Sequence, residues 1–488
     1  MGVVCQAFLP AAAAAGEEAM RSVAGTSAVA GAVAQRAIRR WPWLLAFAGC
    51  LVGWTPEGGC ASPKTNVVLI LVDNLGFQDT GCYGNREVKT PHIDRLATQG
   101  VRCTHLYSAS PTCTVSRASL LTGRYPQRHG LTWQLRTDLS KGIDENLGLG
   151  LSPRERLIPY YLKQHAYATA CFGKWNIGMA PGTRPTERGF DEFLGNASGN
   201  MDYYTHVYKG RNDLFRGTEP DPIPGVYSTE LYADAACDFL RRHAGRPFFL
   251  YVPFNAVHYP SPLNTAPGVE CVWQAPDEAF AAYGWSPQTR DAKQRYYATI
   301  TALDTGVGRL LRQLDTLGLA ENTLVVLFAD NGAFKAQIGY ASNGPYRTEK
   351  EMVYEGSIRV MGIVRWPGRL PPGGVCDEML VSMDFFPMIL GACGAALPGD
   401  RTIDGRDPSA VLAGMSPSPH ESLFWDYEGS KAVRWKQYKL VLSKKGGRQL
   451  YDLAADPGET ADLAERRPDL AEQLENRHRQ WAKAVAAN

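Results

Sequence analysis

The sequence lacks the features that mark several classes of protein. It has no Cys-x-x-Cys pair, so it does not predict a zinc ribbon. Its formal net charge is only +2, which gives no indication of a nucleic-acid partner. We find no internal repeat, and the 11 cysteines are too few for a dense disulfide framework in 488 residues. With 44% hydrophobic residues, the chain is long enough for a large core and more than one domain.

The first 62 residues differ in composition from the rest and predict a leader. Two arginines open the apolar run RRWPWLLAFAGCLVGW, and small residues follow at GGCAS. This order is typical of a secretory signal peptide, and the run is shorter than the roughly 20 residues of a membrane-spanning helix. A lipoprotein box ending at Cys50 and a retained anchor are alternatives. We therefore expect export to a periplasmic or extracellular location, with a lipid anchor as an option and no stable membrane span.

Four runs rich in β-branched and aromatic residues predict buried strands. They lie at 66–72, 168–172, 248–254 and 324–329. Helical patterns at 153–165 and 294–318 alternate with these strands. This alternation favours an α/β fold, with a mixed sheet that helices cover on both faces.

The pattern of residues changes after about residue 400. Short aromatic runs, broken by turn residues, are followed by a charged helix from about Ala461, which favours a small antiparallel α+β unit. The predicted organisation is a disordered leader and signal peptide at 1–62, a large α/β domain at 63–400 and a C-terminal subdomain at 401–488.

The segment CTVSRASLLTG predicts a short helix that begins at Cys113. Ser116 is suited to cap this helix and Gly123 to end it. A cysteine in a first helical turn is either a small buried hydrophobic residue or a nucleophile whose anion the helix dipole favours. The segment alone leaves both interpretations open.

Each of the two strongest predicted strands ends in an Asp-Asn pair. Asp73 and Asn74 follow the first strand, and Asp330 and Asn331 follow the last. In open α/β sheets, sites form outside the carboxyl ends of the strands. Four such oxygen ligands suit Ca²⁺ or Mg²⁺. The alternative is that each pair is an ordinary turn.

Nine motifs occur in the order found in one enzyme family. They are NVVLILVDNLGFQDTGCYGN, TPHIDRLATQGVRCTHLYSASPTC, CTVSRASLLTGRYPQRHG, FGKWNIG, RGFDEFLG, FFLYVPFNAVHYP, FADNG, YEGSIRVMGIVRWPG and LYDLAADPGE. On these residues the chain resembles the type I, formylglycine-dependent sulfatases of the alkaline phosphatase superfamily, within them the arylsulfatases and N-acetylgalactosamine-6-sulfatases. The resemblance implies a large mixed sheet sandwiched by helices, with a smaller C-terminal α+β domain.

The resemblance also implies a nucleophile and a metal. A formylglycine-generating enzyme would oxidise Cys113 to formylglycine; one oxygen of its hydrate attacks sulfur, and the other expels sulfate as the aldehyde forms again. One divalent ion per chain, Ca²⁺ in most of the family with Mg²⁺ as the alternative, would lower the pKa of this nucleophile. Its implied ligands are Asp73, Asn74, Cys113, Asp330 and Asn331.

Further roles follow from the same resemblance. Arg117 would hold the hydrate, Lys174 and Lys350 would neutralise sulfate oxygens, and His258 would lie near the leaving oxygen. The implied substrate is a sulfated sugar or polysaccharide, with selectivity in loops such as 200–225 and 259–290.

Three positions depart from the family pattern. Val115 replaces a proline of the modification signal, and Asn74 replaces a metal-binding aspartate. Asn176 stands where the family has a histidine that helps to deprotonate the hydrate, and an amide cannot accept that proton. We therefore expect a working but divergent sulfatase. The alternatives are an impaired protein that binds sulfated glycans and a hydrolase of phosphate or phosphonate esters.

Overall fold

The computed structural model describes residues 64–260, 273–334, 339–348 and 352–486. The predicted leader lies outside these residues. The strands are β1 (Asn66–Val72), β2 (Val101–Tyr107), β3 (Thr137–Asp138), β4 (Ile143–Asp144), β5 (Ala168–Phe172), β6 (Glu192–Asn196), β7 (Val207–Tyr208), β8 (Arg211–Asn212), β9 (Leu214–Arg216), β10 (Glu219–Pro220), β11 (Phe248–Pro253), β12 (Thr323–Ala329), β13 (Arg359–Arg365), β14 (Gly374–Cys376), β15 (Leu380–Val381), β16 (Ser422–Tyr427), β17 (Ser430–Trp435), β18 (Tyr438–Leu442) and β19 (Arg448–Asp452).

The helices follow the same chain order. They are α1 (Pro91–Gln99), α2 (Cys113–Thr122), α3 (Pro126–His129), α4 (Glu145–Gly148), α5 (Ile158–Lys163), α6 (Ser228–Arg242), α7 (Asp277–Ala281), α8 (Ala292–Thr316), α9 (Glu355–Ile358), α10 (Phe385–Ala392), α11 (Ser409–Leu412) and α12 (Pro468–Ala486).

A large mixed sheet forms the centre of the molecule. Within the described residues it has 11 strands in the order β10-β9-β6-β5-β11-β1-β12-β13-β2-β14, and β15 also pairs with β2. Strands β6, β5, β11, β1 and β12 are parallel to one another, and β13 runs antiparallel between β12 and β2. Every residue of β1, β5, β11 and β12 is buried, as the continuous apolar runs predict.

Helices cover the sheet in two groups, which confirms the predicted α/β class. Helix α8 packs against α1 and α6, and α10 packs against α2 and α5. Helix α8 occupies nearly the predicted range. Helix α5 is shorter than the predicted 153–165 because Pro159 lies in its first turn, and a proline further inside a helix would break it.

A smaller antiparallel sheet lies towards the C-terminus, as the sequence predicts. Its order is β16-β17-β18-β19, and α12 packs against the last three of these strands. Their shared core includes Leu440, Leu450 and Leu474. The C-terminal helix begins at Pro468, later than the predicted Ala461, and proline is favoured at a first helical position.

A buried charge cluster joins the small sheet to the large one. Lys439 Nζ on β18 lies 3.0 Å from Glu355 Oε1 and 2.9 Å from Glu459 Oε1, and all three residues are buried. The Tyr107 hydroxyl donates to Glu355 Oε2 at 2.7 Å, and Arg359 Nη1 lies 3.5 Å from the same oxygen. Burial raises the pKa of Glu459 to about 7, against the lowering effect of Lys439.

This cluster predicts that stability falls as pH rises. The folded-state pKa of Glu459 exceeds the ordinary value of 4.5, so between about pH 4.5 and 7 the folded protein binds more protons than the unfolded chain. Glu459→Gln removes this titration. The free energy of unfolding, measured in urea at pH 5 and at pH 7.5, should therefore fall in both proteins. The fall should be smaller in the variant than in the wild type by about 1–3 kcal/mol. The exposed control Glu465→Gln should keep the wild-type slope, and a wild-type slope in Glu459→Gln would contradict the assignment.

Candidate active site

Polar side chains from separate strands converge at one edge of the large sheet. Asp73 follows β1, Lys174 follows β5, His258 follows β11 and Asp330 follows β12. These four strands are parallel neighbours, so their carboxyl ends meet there. The side chains of Asp73, Lys174 and Asp330 are fully buried. Lys350 lies outside the described residues.

Helix α2 brings Cys113 to this edge. All ten of its residues are buried, and it ends at Gly123, whose φ of 69° is the left-handed conformation that glycine favours. The predicted capping role of Ser116 is wrong, because its hydroxyl donates to the Asp330 carbonyl at 2.6 Å. Instead Gln134 Oε1 accepts the Thr114 N–H at 3.1 Å, which satisfies one of the donors at the start of the helix.

Arg117 connects three strand ends through its guanidinium group. Its Nε and Nη2 donate to Asp330 Oδ2 at 3.0 and 2.8 Å. Nη2 also lies 3.1 Å from Asp73 Oδ2, and Nη1 donates to the Lys174 carbonyl at 2.8 Å. Lys174 Nζ in turn donates to Asp73 Oδ2. Two buried cations therefore balance two buried carboxylates.

Electrostatic coupling within this group is strong because water is excluded. The pKa of Asp330 is raised above its ordinary value. Burial is the main cause and the charge of Asp73 adds to it, whereas Arg117 and Lys174 act in the opposite direction. Burial alone would lower the pKa of Arg117, but Asp330 and Asp73 raise it above its ordinary value. The guanidinium therefore stays charged.

Cys113 lies close to an acid and a base. Single ligand atoms of Asp73, Cys113 and His258 all lie within 4.8 Å of one another. Burial, followed by the charge of Asp73, raises the pKa of the Cys113 thiol to about 12. Burial and Lys174 lower the pKa of His258 to about 3, so its ring is neutral at pH 7. Because the Tyr259 carbonyl can only accept, His258 Nδ1 donates to it at 2.8 Å and Nε2 carries the lone pair.

Oxygen atoms at the same edge fit a hard divalent cation. The Asn74 N–H donates to Asp330 Oδ1 at 3.2 Å, and Asn331 Nδ2 donates to Asn74 Oδ1. Within the described part of the chain, Asp73 Oδ1 and Asn331 Oδ1 are buried without a hydrogen-bond partner. Buried acceptors without a donor are costly, and a cation would satisfy both. Carboxylate and amide oxygens suit Ca²⁺ or Mg²⁺.

Asn176 belongs to a closed amide network. Its Oδ1 accepts from Thr114 Oγ1 at 3.2 Å and from Gln134 Nε2 at 3.3 Å, and its Nδ2 donates to Asn146 Oδ1 at 3.0 Å. The structure thus places Asn176 beside the first turn of α2, bonded to Thr114 next to Cys113. Sequence reasoning missed Gln134 and Asn146, which lie outside the strand-end motifs and become neighbours of Asn176 only through loops.

A cleft opens above Cys113 and His258. Its cavity has a volume of about 390 Å³, within the range of roughly 300–1,000 Å³ for small-molecule sites. It is lined by Thr112, Cys113, Gln134, Leu135, Arg136, Thr137, Gly199, Asn200, Tyr208, Lys209, His258, Tyr259 and Phe334. Cys113 lines this cleft, and the buried cations Arg117 and Lys174 lie close to it, an arrangement that suits a site for an anionic ester.

Comparison with known proteins agrees with a site of this kind. Residues 65–395 match the family described as Sulfatase, and residues 346–484 match the family described as N-sulphoglucosamine sulphohydrolase, C-terminal. The chain is 34% identical to the steryl-sulfatase of Rattus norvegicus, over 82% of this chain and 79% of the relative. It is 32% identical to the N-acetylgalactosamine-6-sulfatase of Canis lupus familiaris, over 82% of this chain and 75% of the relative.

A solved structure shows the same architecture. The structure described as Ps i-CgsB in complex with k-i-k-neocarrahexaose has a TM-score of 0.76 and 27% identity, covering 86% of this chain and 93% of that one. The chain belongs to the sulfatase family, whose members are sulfuric ester hydrolases. Among the described residues, no helix is long and apolar enough to cross a membrane.

Arg117→Met tests whether the strand ends depend on the buried guanidinium. The substitution leaves two buried carboxylates without their shared partner and should lower the free energy of unfolding by about 3–5 kcal/mol. Urea denaturation followed by tryptophan fluorescence measures the change. The exposed control Arg466→Met should stay within about 0.5 kcal/mol of the wild type. An equally small change in Arg117→Met would show that the pairs are not structural.

Proposed function

We propose that the protein hydrolyses a sulfate ester of a sugar or polysaccharide, with residue 113 as the position of the nucleophile. The observation that carries this proposal is the place of Cys113: it opens a buried helix at the floor of a cleft, with Asp73 and His258 beside it. The overall reaction converts a sulfate ester and water into an alcohol and hydrogen sulfate.

The substrate class is supported by the relatives and by the cleft. One relative is named for N-acetylgalactosamine 6-sulfate, and the matched structure holds a neocarrahexaose. Another relative is named for steryl sulfates. Gln134, Asn200 and two cationic side chains line the cleft, which suits hydroxyl-rich sugars better than an apolar steroid skeleton.

The side chains of this chain have distinct proposed roles. Lys174, which lies against Asp73, offers positive charge to the sulfate oxygens as charge builds up on them. His258 lines the cleft, and its unprotonated Nε2 can accept a proton from a hydroxyl group there and then donate that proton to the leaving ester oxygen. Arg117 bonds to Asp73 and Asp330 and orients both carboxylates. For Lys350, the proposed role of neutralising sulfate oxygens is the one that the resemblance to the family implies.

Residue 113 is proposed to act as formylglycine rather than as cysteine. This modification supplies a hydrated aldehyde, whose second oxygen allows sulfate to be expelled. The surroundings of the cysteine support the proposal, because burial disfavours its thiolate. Val115, which stands where the modification signal has a proline, is buried at 1% exposure.

One divalent ion, Ca²⁺ with Mg²⁺ as the alternative, is proposed at Asp73, Asn74, residue 113, Asp330 and Asn331. Such an ion supplies Lewis acidity that stabilises an oxygen anion. Two buried oxygens without a hydrogen-bond partner among the described residues, Asp73 Oδ1 and Asn331 Oδ1, support this site. Because Arg117 and Lys174 already neutralise Asp73 and Asp330, a divalent ion leaves an excess positive charge that an anionic nucleophile and a sulfate ester offset.

Mass spectrometry tests the modification directly. Protein co-expressed with a formylglycine-generating enzyme should carry an aldehyde at residue 113 in the tryptic peptide Cys103–Arg117. Fragmentation separates this site from Cys103, and Cys113→Ala is the matched control. The converted protein should hydrolyse 4-nitrophenyl sulfate in preference to 4-nitrophenyl phosphate, and the control should lose more than about 10³-fold in kcat.

Two outcomes would contradict the proposed sulfatase activity and favour one of the alternatives. An unmodified thiol beside a converted control sulfatase would favour a glycan-binding protein without turnover, the alternative that Asn176 supports because it cannot act as a base. Faster hydrolysis of the phosphate ester would favour the phosphate or phosphonate alternative.

Calcium should stabilise the folded protein. After treatment with EDTA, adding Ca²⁺ at 100 times its dissociation constant should stabilise the fold by about 2.7 kcal/mol, seen as a rise in Tm. Asp330→Asn should reduce this rise, because it removes one anionic ligand. Asp469→Asn, an exposed control with a side chain 75% accessible, should leave it unchanged. A Tm that responds to neither Ca²⁺ nor Mg²⁺ would contradict the proposed metal site.

A further inference from the structure

We propose that Arg136 and Lys209 form an anion-binding subsite in the cleft wall. This subsite would select substrates that carry a second anionic group, a carboxylate or another sulfate, near the sulfate ester that is cleaved. The inference rests on the proposed function, because it defines the leaving group of that reaction.

The described part of the cleft lining has cationic but no acidic side chains. Its cationic side chains are Arg136 and Lys209. A cleft lined by one sign of charge focuses the electric field and concentrates ligands of the opposite sign. These cations lie outside the Arg117 and Lys174 group, whose charges are already balanced by Asp73 and Asp330.

Lys209 is placed by a tight hairpin turn. It lies in the two-residue turn between β7 and β8 with φ of 47°, followed by Gly210 with φ of 84°. Positive φ at both positions is what a two-residue hairpin requires, so the turn fixes where the Lys209 side chain leaves the backbone. Lys209 Nζ donates to the Thr137 carbonyl and lies 5.7 Å from the centre of the Tyr208 ring, so the ammonium stays at the cleft.

A polar network fixes the hairpin that carries Lys209. Arg211 Nε lies 2.9 Å from Asp144 Oδ2, and Arg211 Nη1 lies 2.5 Å from Asp213 Oδ1. Arg211 Nη2 also donates to Ser198 Oγ at 3.0 Å. The β7–β8 hairpin is thereby joined to β4 and to the loop after β6, and a rigid support of this kind suits a binding residue.

Arg136 combines a fixed backbone with an accessible side chain. Its N–H donates to Glu145 Oε2 at 2.9 Å, and its carbonyl accepts from the Glu145 N–H at 2.9 Å. Its side chain is 62% exposed and pairs with Glu428 at 2.8 Å, in the turn between β16 and β17. An exposed pair is worth only about 0–1 kcal/mol, so an anionic ligand in the cleft can compete with Glu428 for the guanidinium.

The test compares matched ligands by titration calorimetry. The ligands are the unsaturated chondroitin 6-sulfate disaccharide, the same disaccharide with its carboxyl group reduced to an alcohol, and the 4,6-disulfated disaccharide. Binding is measured on Cys113→Ala protein with Ca²⁺ present, so no turnover is required. We expect the carboxylate or the second sulfate to tighten binding about tenfold over the reduced ligand, and less at high salt.

Two double variants in the same background identify the source of this preference. Arg136→Gln with Lys209→Gln should reduce the tenfold preference to less than twofold. Arg466→Gln with Lys483→Gln changes the net charge equally at exposed positions outside the cleft and should keep the preference. Equal binding of all three ligands, no binding of any of them, or a preference that survives in the cleft variant would overturn the inference.

The two proposals fail in different ways. A converted wild-type protein that does not hydrolyse 4-nitrophenyl sulfate would contradict the proposed function, because that reference ester carries no second anion. A protein that hydrolyses it but shows no preference among the three disaccharides would contradict the subsite alone.

Discussion

The site depends on the hydrogen bonds and ion pairs that the buried guanidinium group of Arg117 makes. The guanidinium bonds to groups that follow three different strands, namely Asp330, Asp73 and the carbonyl of Lys174. A side chain with a fixed fork of donors can hold such groups in one geometry, which a lysine with its single nitrogen cannot. The same contacts pair two buried carboxylates with a cation, so the edge of the sheet can hold acidic oxygens in an otherwise apolar interior.

The balance of charge around residue 113 differs from that of the cleft. Next to residue 113, cations and carboxylates balance, and both departures from the family pattern among the polar side chains are asparagines. Asn74 is neutral where the family pattern has an aspartate, and Asn176 is a neutral amide bonded to Thr114, Gln134 and Asn146. The described lining of the cleft, by contrast, has two cationic side chains and no acidic one. On the proposed function, charge would be reduced at the reacting centre and retained where a substrate enters.

Much of the fold, and the strand-end part of the site, could be predicted from the sequence. Apolar runs located β1, β5, β11 and β12, because strands buried on both faces have few polar positions. The Asp-Asn pairs were visible because parallel strands end at one edge. Helix boundaries were less predictable. Helix α5 has Pro159 in its first turn and α12 begins at Pro468, and apolar periodicity does not show where either helix begins. Gln134, Arg136 and Lys209 lie in loops and turns next to two-residue strands, where no periodic pattern links a residue to its spatial neighbours.

The complete burial of α2 limits the time at which an enzyme can modify Cys113 to the period before this helix packs. Cys113 is 3% exposed and every other residue of its helix is buried, so no enzyme can reach the segment once it has packed. On the proposed modification, enzymatic oxidation of Cys113 would therefore have to precede the packing of α2. A copy that folded first would keep its thiol for as long as it stayed folded. A preparation would then hold two species with the same fold, one with cysteine and one with formylglycine at residue 113.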